Sequence, residues 1–300
     1  MLDYKLLEAL TAVVEEGGFE RAARRLNITQ SAVSQRVRLL ETTLGQPVLA
    51  RTQPPSPTSA GTMLLRHARR VELLEAELGC EVQEATQAKG WRTLAVGINA
   101  DSLATWFVAA VLPLVAQEGI TFDVKSDDQE RTQDLLRKGE VAGCVSTRET
   151  AIQGCRAVFL GVMRYHCACT PEFAERWFPA GLDLGAARLA PAVVFNRHDT
   201  VHDRFLSARL GESPLQAPRH HVPDSLRFVD FVLGGAGYGM IPHMQAIPPL
   251  AEGRLVDLAP GDALPVRLFW HCWNLESPLL DTLTRALLQS SRTELIQGQT

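Results

Sequence analysis

At 300 residues the chain is too long for one small domain; about 100–200 residues per domain predicts two or three units. With 46% apolar and 21% charged residues it can bury sizeable cores, and its 22 glycines and 17 prolines exclude collagen-like and low-complexity chains. The net charge of −4 hides a basic island, since nine arginines and a single acid, Glu41, stand between Arg21 and Arg70, a local balance of +8. An anionic partner such as DNA explains such an island; so does a solvated helix face.

No apolar run approaches roughly 18 residues, so no membrane-crossing helix is expected. The start Met1-Leu2-Asp3-Tyr4-Lys5, with Glu8 close behind, is unlike a secretory leader, and the expected location is the cytoplasm. Six cysteines, at 80, 144, 155, 167, 169 and 272, show no paired spacing and are expected as small buried hydrophobes.

In chain order, Leu2, Leu6, Leu7, Leu10, Val13 and Val14 repeat with helical period, and Gly17-Gly18 stops that helix. A short second helix, Phe19 to Leu26, leads through the turn Asn27-Ile28-Thr29 into a third helix from about Gln30 to Leu44, capped by Thr29 and ended by Gly45. Val48 to Arg51 and Gln53 to Pro57 read as a short two-stranded wing. Thr58 then caps a long helix from about Ser59 to Lys89. Its stripe of Leu64, Leu65, Ala68, Val71, Leu74, Leu78 and Val82 predicts a helix-on-helix homodimer seam. From Trp91 strands and helices alternate, which predicts parallel sheets with crossovers in two α/β units. The strand Arg267–Trp273 and the closing helix Pro278–Gln289 are expected to return to the first unit, so that the chain crosses twice between the lobes of a hinged clamp. The expected domains are 1–58, 59–90 and 91–300, with lobe 1 at about 91–163 and 267–300 and lobe 2 at about 164–266.

The second and third helices form a helix-turn-helix. Ala22 and Ala23 allow close approach, and Gln30, Ser31, Ser34, Gln35 and Arg38 lie on or near the exposed side of the third helix. Glutamine and serine read base edges in a major groove, arginine holds phosphate, and Arg51 on the wing is placed to hold phosphate too. Double-stranded DNA is the expected partner.

The run Phe19-Glu-Arg-Ala-Ala-Arg-Arg-Leu-Asn-Ile-Thr-Gln-Ser-Ala-Val-Ser-Gln-Arg-Val-Arg-Leu-Leu-Glu41, then Leu44-Gly45, Arg51 and Pro57-Thr-Ser-Ala-Gly61, resembles the N-terminal winged helix of LysR-type transcriptional regulators. The resemblance implies an α/β protein with an N-terminal all-α winged helix-turn-helix, a long dimerising linker helix and a two-lobed, periplasmic-binding-protein-like effector domain. Asn99 to Trp106, Arg131-Thr-Gln133, Gly139-Glu-Val141, Val145-Ser146 and Met240-Ile-Pro-His243 resemble the branch of arginine- and lysine-export regulators. That branch implies lysine or arginine as effector, an export gene among the targets, a dimer or dimer of dimers, and no cofactor. Two positions depart from the pattern. Ala50 stands in a wing that often carries phenylalanine, and Leu226 stands where the branch often has an acid after Asp224.

Asn99-Ala100-Asp101-Ser102 follows a strand and opens a helix, where ligands bind in open α/β sheets. Ser102 and the helix-start N–H groups suit an α-carboxylate, Asp101 or Asp128 an ammonium; plain helix capping is the other reading of Asp101-Ser102. Ser146 ends another strand at the same cleft. From lobe 2, Asp199 lies at the mouth, and Asp224-Ser225 precede a helix. His166 points away from Cys167 and Cys169 on one strand, so these three do not converge on a metal. No Gly-x-Ser-x-Gly elbow, phosphate loop or dinucleotide fingerprint is present, which argues against an enzyme. A solute-binding module would share the clamp, but not the basic helical domain or the leaderless start. A DNA-architectural protein would leave the 210 residues after the linker unexplained.

Overall fold

The computed structural model describes residues 2–84, 91–127, 132–212 and 216–298. Its N-terminal unit is helical. α1 (Tyr4–Glu15) is capped by the Asp3 carboxylate, α2 (Phe19–Arg25) follows Gly18, and α3 (Gln30–Leu44) is capped by Thr29 Oγ1 and closed by Gly45 in a left-handed conformation. Asn27 makes the turn at φ 53°, a conformation asparagine tolerates better than most residues. β1 (Leu49–Ala50) pairs antiparallel with β2 (Ser56–Pro57) as the wing. The core joins Leu6, Leu10, Val13, Ala22, Val33, Val37 and Leu40 to Leu65 and Ala68 of the long helix α4 (Ser59–Glu84).

α4 serves three surroundings. Leu65 and Ala68 complete the N-terminal core, and Leu73 joins the core of the C-terminal unit. Further along, Glu77 is buried and accepts from Ser277 Oγ at 2.6 Å and Leu279 N at 2.9 Å. Leu74, Leu78 and Val82 stay exposed, at spacings of four residues. The expected dimer stripe is thus divided: its first part fills the chain's own core, and its last part remains open. The expected end at Lys89 lies outside the described residues.

The C-terminal unit starts with β3 (Arg92–Asn99). α5 (Ala100–Ser102) runs through a π turn at Leu103–Phe107 into α6 (Val108–Glu118). Then come β4 (Ile120–Asp127), α7 (Thr132–Arg137), β5 (Gly143–Ser146) and the long β6 (Cys155–Cys169). α8 (Pro171–Trp177), α9 (Leu184–Leu189), β7 (Ala192–Val194), α10 (Val201–Leu210), β8 (Arg219–His221), α11 (Ser225–Leu233), β9 (Tyr238–Pro242), α12 (His243–Ala251) and β10 (Val256–Asp257) build the second lobe. β11 (Leu264–Trp273) and α13 (Pro278–Glu294) return to the first.

The strand order is β4-β3-β5-β11-β6-β9-β7-β8, with β10 on β6. The sheet is mixed, which corrects the expectation of purely parallel sheets. β3 is parallel to β4 and β5, and β7 to β8 and β9, but β11 runs antiparallel to β5 and β6. The cause is the double crossing: β6 leaves the first lobe, β11 comes back, and the two pair with each other. The stretch Ala100–Glu118 also corrects the reading that no helix is long and apolar enough to span a membrane; by length and composition this one is. In the fold it packs Trp106, Phe107, Ala110, Val111 and Leu114 into the first lobe.

Gly61 shows how tightly α4 meets the wing. A Cβ there would lie 2.0 Å from the Val48 carbonyl oxygen, which is backbone and cannot swing aside. Gly61→Ala is expected to destabilise the N-terminal unit by about 1–3 kcal/mol, the usual cost of overpacking. Urea denaturation of the full chain checks this; an unchanged midpoint would contradict the packing.

Candidate ligand cleft and nucleic-acid interface

A cleft partly open to solvent lies between the lobes. Asn99, Ala100 and Asp101 line it from the end of β3, Thr147 from the end of β5, and Tyr165 from the crossing strand. The second lobe contributes Phe195, His198, Asp199, Thr200, Val201 and Arg204, together with Ser225, Phe228, Met240 and Pro242. Of the residues that strand-end logic singled out, Asn99, Ala100, Asp101, Asp199 and Ser225 line this one cleft.

Asp101 does not cap its helix. Tyr165 Oη donates to its Oδ2 at 2.6 Å, and Ser225 Oγ lies 2.6 Å from its Oδ1. Burial pushes its carboxyl above the ordinary aspartate range, and the hydrogen bonds from Ser225 and Tyr165 pull the other way. Beside it, both amide atoms of Asn99 are buried without a hydrogen-bond partner among the described residues. Buried polar groups are nearly always paired, so a cleft-lining amide left without a partner suits a ligand.

Asp199 lines the wall with its carboxylate already used for local structure: Oδ2 accepts from Phe195 N at 3.1 Å and Oδ1 from Val201 N at 2.9 Å. Arg204 sits exposed on α10 at the rim and forms no ion pair among the described residues. Three expected residues stand apart from the lining. Ser102 is fully buried, with its hydroxyl unpartnered among the described residues. Ser146 is fully buried and accepts from Arg148 N at 3.2 Å. Asp224 caps α11 by accepting from Arg227 N at 2.9 Å. Asp128 and Arg131 lie outside the described residues.

Sequence reasoning misses Thr147, Tyr165, His198 and Arg204. Thr147 was within reach of the same strand-end argument as Ser146, one residue earlier. Arg204 lies one helical turn beyond Thr200, so the face that starts at Asp199 could have pointed to it. Tyr165 carries no local signal.

At the other end of the molecule Thr29, Gln30, Ser31, Gln35 and Arg38 are exposed and Ser34 half-buried along one side of α3, with Arg51 exposed on the wing. The side chains of Gln30, Gln35, Arg38 and Arg51 make no hydrogen bond or ion pair among the described residues. The rest of the basic island is largely committed. Arg25 and Arg69 meet Glu15 at 2.6 and 3.2 Å, Arg36 lies 3.7 Å from Glu8 and Arg24 3.8 Å from Glu20. Arg70 donates to the Gly154 carbonyl at 3.2 Å and stacks over Trp273 at 5.6 Å. The paired arginines fit the solvated-face explanation of the island, and Arg38 and Arg51 stay open to an anionic partner.

His166, as expected, turns away from Cys167 and Cys169. Its Nδ1 is 2.9 Å from Asp257 and its Nε2 2.9 Å from His243.

Residues 4–62 match the family described as bacterial regulatory helix-turn-helix protein, lysR family, and residues 92–295 match the LysR substrate binding domain. The chain belongs to the LysR family. It is 43% identical over 298 residues to the HTH-type transcriptional regulator ArgP of Pseudomonas aeruginosa (strain UCBPP-PA14), covering 99% of this chain and 98% of that protein. ArgP of Vibrio vulnificus (strain CMCP6) is 43% identical over 296 residues, 99% of each chain. Among solved structures, ArgP from Mycobacterium tuberculosis is similar with TM-score 0.88 and 36% identity over 100% of both chains. Full-length LysG from Corynebacterium glutamicum with bound effector Arg is similar with TM-score 0.81 and 31% identity, over 99% of this chain and 100% of that one. The helix-turn-helix is therefore the LysR-family DNA-binding unit, and the clamp is that family's substrate-binding domain. This sets aside the solute-binding and architectural readings.

The second lobe also carries an acid-sensitive group. His202 on α10 is buried against Tyr238, and burial, aided by Arg219, lowers its pKa to about 4. The native state holds it neutral while the unfolded chain protonates it below the ordinary histidine pKa of about 6.5, so stability falls as pH drops from there toward about 4. Thermal unfolding from pH 7 to 4.5 is expected to show this loss, and His202→Gln to flatten it. An equal slope in the variant would contradict the assignment.

Proposed function

We propose that this LysR-family regulator binds lysine or arginine between its lobes and reads DNA with α3 and the wing. The observation that carries the effector reading is the cleft's charge pattern. A buried carboxyl, Asp101, stands with Asp199 on the inner walls, while Arg204 stands at the rim. A free amino acid presents the complement: one carboxylate and, for lysine or arginine, two cations. Each of its buried charges needs a partner, because an unpaired one costs several kcal/mol. Arg204, the Asn99 amide and the Thr147 hydroxyl suit the carboxylate; Asp101 and Asp199 suit the cations. The likeness to LysG with its bound effector Arg supports the same reading. Calorimetric titration of the full chain with each common amino acid tests it. Lysine or arginine should bind in preference to neutral and acidic amino acids; binding of neither at millimolar concentration would contradict it.

On the DNA side Thr29, Gln30, Ser31, Ser34, Gln35 and Arg38 form the reading face, and Arg51 holds phosphate. Replacing Gln30 by alanine is expected to relax sequence preference, at about 1–3 kcal/mol for a good base contact. Arg51→Ala should weaken all sequences alike and reduce the salt slope by about one ion. Competition binding over a set of operator variants checks both, and unchanged selectivity for the Gln30 variant would contradict the face assigned to it.

The exposed Leu74, Leu78 and Val82 on α4 suit a second copy of the chain. Dimerisation there would set the spacing of two DNA-reading heads, and the double crossing would let a ligand bias one lobe against the other. Such a regulator acts in the cytoplasm, beside the chromosome. Any coupling between the two sites is reciprocal: a ligand that changes DNA affinity by some factor has its own affinity changed by DNA to the same extent.

A further inference from the structure

Asp101 is a carboxyl without a counter-ion among the described residues. It is wholly buried, and both of its contacts are neutral hydroxyls. The titratable or charged side chains that line the cleft with it are Tyr165 on β6, His198 and Asp199 before α10, and Arg204 on α10. Of these only Tyr165 touches it among the described residues.

With the Gln245 amide oriented as it is, the surroundings of Ser225 favour a proton on Asp101. Its Oγ lies 2.6 Å from Asp101 Oδ1 and 3.2 Å from Gln245 Oε1, two oxygens, and a hydroxyl has one proton to give. With Asp101 ionised, that proton must go to Oδ1, and Gln245 Oε1 then faces a lone pair. With the proton on Oδ1 the chain closes: Asp101 O–H donates to Ser225 Oγ, whose O–H donates to Gln245 Oε1. Removal of the carboxyl from water favours the same neutral form. The contact also ties the lobes together, since Asp101 belongs to the first and Ser225 to the second.

Resting on the reading that this cleft takes a cationic amino acid, we propose that Asp101 is a proton-exchanging latch between the lobes. When an ammonium or guanidinium group docks on it, the carboxyl O–H bond breaks and its proton leaves to the solvent. N–H···O bonds from the ligand then take its place. Ser225 keeps its own proton and its bond to Gln245, so the hydroxyl bridge between the lobes is given up in the same step. Effector binding is therefore linked to pH. Affinity climbs as pH rises while the free carboxyl remains protonated, and levels off above its titration.

The test is calorimetry of the full chain with L-arginine at one pH in two buffers of different ionisation enthalpy, such as phosphate and Tris. The dependence of the observed heat on buffer counts the protons released, and about one per ligand is expected. Binding with no proton released would overturn the latch while leaving the effector reading intact. That is the outcome if Asp101 is ionised and a rotated Gln245 amide donates to Ser225. Absence of any binding would overturn the effector reading, and the latch with it. Asp101→Asn keeps the shape of the neutral carboxyl and is expected to weaken arginine at least about tenfold and to release no proton. Ser225→Ala, which removes the bridge but not the carboxyl, should still release a proton on binding. Proton release surviving in the Asn variant would assign the exchange to another group and contradict the proposal.

Discussion

The pairing of β6 with β11 is the constraint on which the rest of this molecule depends. These are the two passages of the chain between the lobes, and they hold each other in an antiparallel ladder from Cys155–Trp273 to Tyr165–Leu264, with one irregularity at Leu268–Phe269. Because both crossings lie side by side, the lobes are joined along one line and leave a cleft in front of it. Tyr165, at the end of that ladder, reaches from the crossing strand to Asp101. The cleft therefore opens or closes about a fixed seam, and groups such as Asp101 and Ser225 that meet across it sense the lobe angle directly.

The linker helix is fastened to only one side of that seam. Glu77 accepts from the serine that caps α13 and from the backbone N–H of Leu279, so a buried carboxylate satisfies donors at a helix N-terminus. Arg70 adds its contacts to Gly154 and Trp273. All of these belong to the first lobe or to the crossing strands beside it. Breaking the Glu77 contact would leave buried donors unpaired, which is costlier than the net worth of the bonds. These contacts fasten the linker helix to the first lobe.

Much of this was legible in local sequence signals because capping and periodicity are local physics. Thr29 and Gly45 bound α3 as their chemistry requires, and the closing strand ends at Trp273 and the closing helix starts at Pro278 as the pattern predicts. Strand direction was not legible: alternation reports which face is buried, not which way a strand runs, so the antiparallel crossing was out of reach. α12 hides behind Pro248 and Pro249, residues that ordinarily mark a helix end. α8 and α9 are too short, at seven and six residues, for periodicity to show.

The cleft divides along the same line. The end of a strand points to a cleft, and Asn99, Asp101 and Asp199 line it, but it does not say where each side chain points; Ser102 and Ser146 are buried beside the cleft rather than in its lining. Tyr165 and Ser225 reach Asp101 across 64 and 124 residues of chain, a separation over which spacing carries no information. The most direct test of the account is hydrogen–deuterium exchange on the full chain with and without saturating arginine. Protection is predicted together at the end of β3, at residues 195–204 and at the start of α11, because the ligand contacts both lobes. Protection confined to one lobe, or located between the N-terminal unit and the first lobe, would contradict it.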